Sequence, residues 1–150
     1  MANHNERSPE IDSYDPQRVV ASLRELAART GGPDGSRRLC WTPEWLEARA
    51  LLRESVTGLP VDVDTDEAGN LWVYLRGERA DTVVVGSHLD SVPKGGWLDG
   101  ALGVMAGLEL LRSLAAQGTA GGQPARRAAR AACISASTLA APGSCCTRPQ

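Results

Sequence analysis

The amino-acid sequence predicts an α/β fold, and three observations support it. Apolar residues recur at helical spacing in two stretches near the start of the chain and again after residue 100. Between these stretches the apolar pattern changes to alternation with a period of two, which is typical of β-strands. A short apolar run at 82–85 is typical of a central strand covered on both faces. Helices and strands mixed along one chain favour a layered α/β domain.

Two N-terminal helices are predicted from their capping signals. Asp15-Pro16 offers a cap followed by proline at the first helical position, and Gly31-Gly32 ends that helix. Thr42-Pro43 repeats the signal for a second helix that ends at Gly58. The predicted buried faces are Val19, Val20, Leu23, Leu26 and Ala27 in the first helix, and Trp45, Ala48, Leu52 and Val56 in the second.

Strands and a third helix follow. Val61 and Val63 alternate with aspartates, and the run from Leu71 to Leu75 is rich in strand-forming residues. The third helix is predicted over 101–116, and Glu109 is expected on its surface. The predicted turns lie at 66–70 and 77–80, and the predicted buried face of the third helix is Leu102, Met105, Leu108 and Leu111.

Composition and charge bound the class of protein. The 150 residues are 42% hydrophobic and 23% charged, with a net charge of −2, so neither a nucleic acid nor a membrane is expected as a partner. The polar start lacks a secretory signal, which predicts a cytoplasmic protein. The four cysteines include no Cys-x-x-Cys pair and are expected to be non-functional thiols.

The composition changes abruptly near residue 117. All 18 acidic residues lie at or before Glu109, whereas residues 118–150 are rich in alanine, glycine and arginine. The sequence therefore predicts a disordered N-terminus (1–14), a partial catalytic domain (15–117) and a low-complexity tail (118–150). An arginine-rich helix that binds nucleic acid is the alternative for 118–132, and a solvated tail is favoured because no aromatic residue accompanies the arginines.

One segment carries residues suited to chemistry, namely GSHLDSVPKGGWLDG at 86–100. His88 and Asp90 follow the apolar strand, at the end of a strand where ligand sites gather in α/β sheets. Asp99 precedes Gly100 and the third helix. A histidine and carboxylates in this arrangement are candidate metal ligands, with Asp90 orienting His88. On spacing alone the same residues could instead be a structural histidine, a helix N-cap and a Gly95-Gly96 turn.

The stretch VVVGSHLDSVPKGGWLDGALGVMAGLELL closely resembles the hydantoinase/carbamoylase-type amidases. The upstream DEAGNLWVYLRG, Arg37-Arg38-Leu39 and Thr42-Pro43-Glu44 are also similar to segments of that family. The resemblance covers residues 16–117. It implies the N-terminal part of a mixed-sheet, zinc-exopeptidase-like catalytic domain with a disordered or non-native tail.

The resemblance also implies roles for single residues. His88 would be a metal ligand, Asp99 would bridge two divalent ions, and Asp90 would be a catalytic residue that orients and polarises His88. The glycines Gly95, Gly96 and Gly100 would let the loop fold tightly, and Gly103 and Gly107 would permit close packing of the helix on the sheet. The family's ions are zinc, manganese or cobalt, and at most one weakly bound ion is expected here. No residue is assigned to substrate binding.

Several parts of the family's site are missing after Glu109, because no Asp, Glu or His follows. The absent parts are a Glu-Glu pair, further metal ligands and an inserted domain that mediates homodimerisation. The tail's composition is typical of GC-rich DNA translated out of frame, so we hypothesise a frameshift soon after Gln117.

The implied function is metal-dependent hydrolysis of carbamoyl or ureido C–N bonds in a small molecule, such as an N-carbamoyl amino acid or allantoate. This chain is expected to be a catalytically incomplete fragment of such an enzyme. The alternatives are an exopeptidase or deacylase of the same clan, and a non-catalytic remnant that binds metal weakly.

Overall fold

A computed structural model describes residues 14–76, 83–119 and 132–137. Helices and a mixed sheet in these ranges confirm the predicted α/β class. The helices are α1 (Pro16–Thr30), α2 (Pro43–Ser55) and α3 (Ala101–Thr119). The strands are β1 (Gly31–Gly32), β2 (Gly35–Ser36), β3 (Val61–Thr65), β4 (Leu71–Leu75), β5 (Val83–His88) and β6 (Ala132–Ser137).

The first two helices begin where the capping signals predict. The Asp15 carboxylate accepts a hydrogen bond from the Gln17 N–H at 2.9 Å, and the Thr42 hydroxyl accepts one from the Trp45 N–H at 3.3 Å. These bonds satisfy backbone donors that a helix start otherwise leaves unpaired. The residues on the two predicted faces that become fully buried are Val19, Leu23, Leu26, Trp45, Ala48, Leu52 and Val56.

The four-stranded sheet has the order β3-β4-β6-β5. Strands β3 and β4 form an antiparallel hairpin in which Val63 lies opposite Val73. Strand β6 runs antiparallel to β4 and parallel to β5, with Val85 opposite Ile134. Helix α3 packs on β5, and α1 packs on both α3 and α2.

The structure corrects two expectations about the last strands. Strand β5 was predicted as a central strand over 82–85, but it runs to His88 and lies last in the order of the described sheet. Val83 and Val84 are accordingly about half exposed, at 49% and 50%. Strand β6 lies within the predicted low-complexity tail, where no strand was expected, and its backbone pairs with both β4 and β5.

Helix α3 buries a different face from the predicted one at its start. Leu102 is 48% exposed, and Val104 is buried in its place together with Met105, Leu108 and Leu111. The helix approaches β5 closely at Gly103, where an added Cβ would lie 2.8 Å from the Ser87 Cβ. A side chain at this position would force helix and strand apart.

Glu109 is buried, so the expectation of a surface residue is wrong. Its Oε1 accepts hydrogen bonds from the Asp15 backbone N–H and the Arg18 Nε, both at 3.0 Å, and Arg18 Nη2 lies 2.7 Å away. A carboxylate at a helix N-terminus is stabilised by the unpaired N–H groups and the positive end of the helix dipole. Glu109 therefore joins α3 to the start of α1.

Several predictions fall outside the described residues. These are the disordered N-terminus apart from Tyr14, which packs on the core, the turn at 77–80, and the tail apart from the end of α3 and β6. None of the helices among the described residues combines the length and apolar character needed to cross a membrane.

We predict that Glu109→Ala lowers the free energy of unfolding by about 2 kcal/mol, because it removes a buried acceptor shared by a backbone N–H and an arginine. Urea denaturation followed by circular dichroism measures the change. Glu25→Ala is the matched control: Glu25 pairs with Arg29 at the exposed surface, and its loss should barely move the midpoint. Equal midpoints for the two variants would contradict this account of Glu109.

Candidate metal site

The loop between β5 and α3 brings the predicted site residues together. His88 is the last residue of β5, and Asp99 and Gly100 directly precede α3. The loop closes through backbone hydrogen bonds from the Asp99 N–H to the Gly96 carbonyl at 3.2 Å and from the Gly95 N–H to the Val92 carbonyl at 3.0 Å. Its two ends meet at the carboxyl end of the strand, where His88 Nε2 lies 3.8 Å from Asp99 Oδ1.

The ring of His88 is held by the residue two positions along the chain. Its Nδ1 lies 3.0 Å from the backbone carbonyl oxygen of Asp90. A carbonyl only accepts, so Nδ1 carries the proton, and in the neutral imidazole the lone pair is then on Nε2. Asp90 Oδ1 lies 3.4 Å from the same Nδ1 but, within the described residues, accepts no hydrogen bond. The backbone carbonyl of Asp90 thus orients the imidazole, and the buried carboxylate adds a negative charge beside it.

The free side of the imidazole faces Asp99. His88 Nε2 and Asp99 Oδ1 are 3.8 Å apart. A zinc ion bound by a nitrogen and an oxygen at about 2.1 Å, with a tetrahedral angle, holds those atoms about 3.4 Å apart. Asp99 is 58% exposed and can make this small adjustment. The pair therefore fits one side of a metal ion, although in the ranges covered by the structure no group of three or more His, Cys, Asp or Glu residues could hold one.

Among the three glycines predicted to shape the loop, two occupy crowded positions. A Cβ on Gly100 would lie 2.4 Å from both Nδ1 and the carbonyl oxygen of His88, and its φ of +65° is left-handed. A Cβ on Gly95 would lie 2.9 Å from the Val92 carbonyl oxygen. Around Gly96, by contrast, an added Cβ would meet no atom within 4 Å. The tight approach is therefore made by Gly100 and Gly95.

Sequence reasoning missed Arg38, which is fully buried beneath the loop. Its Nε donates to the Leu89 carbonyl at 2.7 Å, and its Nη1 donates to the Ser36 hydroxyl at 2.9 Å. Burial lowers the pKa of the guanidinium, and the charges of Asp99 and Asp90 oppose that change. The only sequence signal for Arg38 was its place in the Arg37-Arg38-Leu39 segment, because periodicity cannot show a contact between residues so distant along the chain.

Cys40 lies next to Asp90. Burial raises the pKa of its thiol, and the negative charge of Asp90 and a hydrogen bond between the two side chains raise it further. A thiol in this environment stays protonated and is a poor nucleophile. Cys40 is therefore a neighbour of the site rather than a reactive group in it.

Comparison with known proteins gives relatives of this chain in sequence and in fold. The family model for Peptidase family M28 matches residues 70–133. The N-carbamoyl-L-amino acid amidohydrolase of Geobacillus stearothermophilus is 39% identical over 101 residues, which are 65% of this chain and 25% of that protein. The allantoate amidohydrolase of Bacillus subtilis is 34% identical over 94 residues, which are 61% of this chain and 22% of that protein.

The folds agree as well. A hydantoinase/carbamoylase family amidase from Burkholderia vietnamiensis superposes with a TM-score of 0.73 at 32% identity, covering 86% of this chain and 30% of that one. The chain is related to the hydantoinase/carbamoylase amidases. The chain spans about a quarter of the length of the curated proteins that it matches.

We predict that Gly100→Ala lowers the free energy of unfolding of the chain by about 2 kcal/mol or more. The new methyl group would overlap the ring and backbone of His88, and residue 100 has a left-handed backbone that alanine adopts with strain. Gly96→Ala is the matched control, since its methyl group meets nothing, and it should change stability by less than about 0.5 kcal/mol. Thermal denaturation of both variants measures the difference. Similar melting temperatures would show that the loop does not close on His88 as described.

Proposed function

We propose that this chain derives from a metal-dependent amidohydrolase that cleaves linear carbamoyl or ureido C–N bonds in small molecules. The observation that carries the proposal is the similarity in sequence and fold to allantoate and N-carbamoyl-L-amino-acid amidohydrolases. The His88–Asp99 pair at the end of β5 supports it, because imidazole and carboxylate are ligands that divalent zinc, manganese and cobalt accept.

Each residue of the loop has a proposed role. His88 would hold a metal ion through Nε2, and Asp99 would supply a carboxylate ligand to the same ion, shared with a second ion in the complete enzyme. Asp90 keeps the proton on His88 Nδ1 and so leaves Nε2 available. A bound ion would lower the pKa of a water molecule and polarise the carbonyl of the substrate.

The 150-residue chain itself is proposed to be catalytically incomplete. No Asp, Glu or His follows Glu109, and the Glu109 carboxylate is engaged by Asp15 and Arg18. A hydrolytic zinc site requires three protein ligands and an open position, so we expect at most one weakly held ion here. A cytoplasmic location is part of the same proposal.

A frameshift soon after Gln117 is the proposed origin of the incompleteness. Sequencing the gene across codons 112–130 and translating the other frames tests it. A Glu-Glu segment in another frame is the expected result. An intact gene with no such segment in any frame would overturn the frameshift.

A second candidate is a peptide-bond exopeptidase or deacylase, favoured by the match to Peptidase family M28. A non-catalytic remnant is the third possibility. Assaying the frame-restored protein on an N-carbamoyl amino acid, allantoate and a dipeptide distinguishes the first two, because only one substrate class should be turned over efficiently.

We predict that titration calorimetry with Zn²⁺ and with Mn²⁺ detects no more than one weakly bound ion per chain. Manganese is included because it disfavours thiolate ligands, which separates binding at the loop from binding at the cysteines. His88→Ala should remove the signal, whereas the control His4→Ala should retain it. Two tightly bound ions, or binding unchanged in His88→Ala, would contradict the proposed site.

We also predict no detectable release of ammonia from N-carbamoyl amino acids or allantoate by residues 1–150 with metal supplied. A missing general base alone costs about 10²–10⁴ in rate. Restoring the reading frame after Gln117 should restore turnover, and His88→Ala or Asp99→Ala in the restored protein should abolish it. Turnover by the purified 150-residue chain that is lost in His88→Ala would show that the chain is complete.

A further inference from the structure

We propose that Arg38 is a positioning residue, which fixes the segment Leu89–Ser91 so that Asp90 presents His88 to a metal ion. The inference rests on the proposed function, because it concerns the same site. Arg38 is completely buried, and its guanidinium donates to the Leu89 carbonyl and the Ser36 hydroxyl, neither of which is a candidate metal ligand. Burying a guanidinium is costly unless its hydrogen bonds are organised, so its contacts indicate what it is for.

Those contacts hold the segment at both ends. The Arg38 Nε donates to the Leu89 carbonyl at 2.7 Å. The Arg38 backbone N–H donates to the Ser91 hydroxyl at 3.1 Å, and the Arg38 carbonyl accepts from the Ser91 N–H at 2.8 Å. Asp90 lies between these two anchored residues, so its backbone carbonyl is fixed in direction.

The fixed carbonyl of Asp90 is the group that orients His88. It accepts the Nδ1–H of the imidazole at 3.0 Å, which leaves Nε2 free on the side of Asp99. Arg38 is in turn anchored through Nη1 to the Ser36 hydroxyl, and the Ser36 N–H donates to the Gly95 carbonyl at 3.0 Å. The Arg38 side chain thus joins Leu89 to Ser36 of β2, and the Ser36 backbone N–H holds the second half of the loop at Gly95.

The charge and the geometry of the Arg38 guanidinium have opposite effects on metal binding, and a substitution can separate the two effects. A positive charge near a metal site weakens cation binding, so charge alone would make Arg38 unfavourable for the ion. The benefit comes from the guanidinium, whose rigid planar fork directs two different nitrogens at the Leu89 carbonyl and the Ser36 hydroxyl, whereas lysine has a single ammonium nitrogen. Arg38→Lys keeps the charge and removes the fork, so its effect reports geometry.

The experiment compares Arg38→Lys with Arg49→Lys in the full 150-residue chain. Arg49 is a matched control: it is also buried, 9% exposed, but its guanidinium packs over the Trp45 ring, 4.6 Å from the centroid. Nitrogen-15 NMR of His88 in the metal-free chain reports which ring nitrogen carries the proton. His88→Ala assigns the signal, since the chain has only 2 histidines. Calorimetry gives the affinities for Zn²⁺ and Mn²⁺.

In the wild-type chain we expect the proton on Nδ1. In Arg38→Lys we expect a mixture of the two tautomers and about tenfold weaker metal binding. Arg49→Lys should keep the wild-type tautomer and affinity even where it lowers the melting temperature. The proposal is overturned if Arg38→Lys matches the wild type in both readouts, or if Arg49→Lys changes both equally.

Ser91→Ala provides a second, milder variant for the case that Arg38→Lys does not fold. It removes the hydroxyl that accepts the Arg38 backbone N–H. It should shift the His88 tautomer and the metal affinity in the same direction as Arg38→Lys, but by a smaller amount. An unchanged His88 tautomer and affinity in Ser91→Ala would then overturn the proposal. Two tightly bound ions in the wild-type chain would refute the proposed function, and the metal-free tautomer comparison would still decide the role of Arg38.

Discussion

The contact between Gly100 and His88 is the constraint on which the rest of the site depends. Strand β5 and helix α3 can meet only if the chain between them turns back onto the strand end. Gly100 makes this possible because it adopts a left-handed φ and carries no Cβ, which would otherwise overlap the His88 ring. Asp99 then lies beside His88, and α3 begins at the next residue after Gly100. The same residue therefore fixes both the packing of the helix and the geometry of the candidate metal ligands.

Two buried charged residues, Arg38 and Glu109, stabilise this arrangement. Arg38 ties the loop to β2, and Glu109 ties α3 to the start of α1. Each satisfies backbone groups as well as side chains, which is how a buried charge avoids the full cost of desolvation. Helix α3 is thus located by polar contacts with α1 in addition to its apolar face. The candidate site sits where these two sets of contacts meet.

The local features of the fold followed from the sequence. The caps at Asp15 and Thr42, the buried faces of the first two helices and the β3–β4 hairpin depend on neighbouring residues, which the sequence displays directly. The position of His88 at the end of a strand was predictable for the same reason. The resemblance to the amidases added the grouping of His88, Asp90 and Asp99, which spacing alone left open.

The features that depend on contacts between residues far apart along the chain could not be predicted from the sequence. Glu109 lies in a helix among leucines, and nothing near it indicates that Asp15 and Arg18 would bury its carboxylate. The role of Arg38 depends likewise on Leu89 and Ser91, far along the chain. Strand β6 was not predicted because its segment lies in a part of the chain that is rich in alanine and arginine. Its backbone groups nevertheless pair with β4 and β5, since backbone pairing does not depend on the surrounding composition.

Nitrogen-15 NMR of His88 during a zinc titration tests the central claim most directly, because it identifies the atom that binds the ion. The account predicts that Zn²⁺ shifts the Nε2 resonance while Nδ1 keeps its proton and its hydrogen bond to the Asp90 carbonyl. A metal-induced shift at Nδ1, or no shift at either nitrogen of His88, would contradict it.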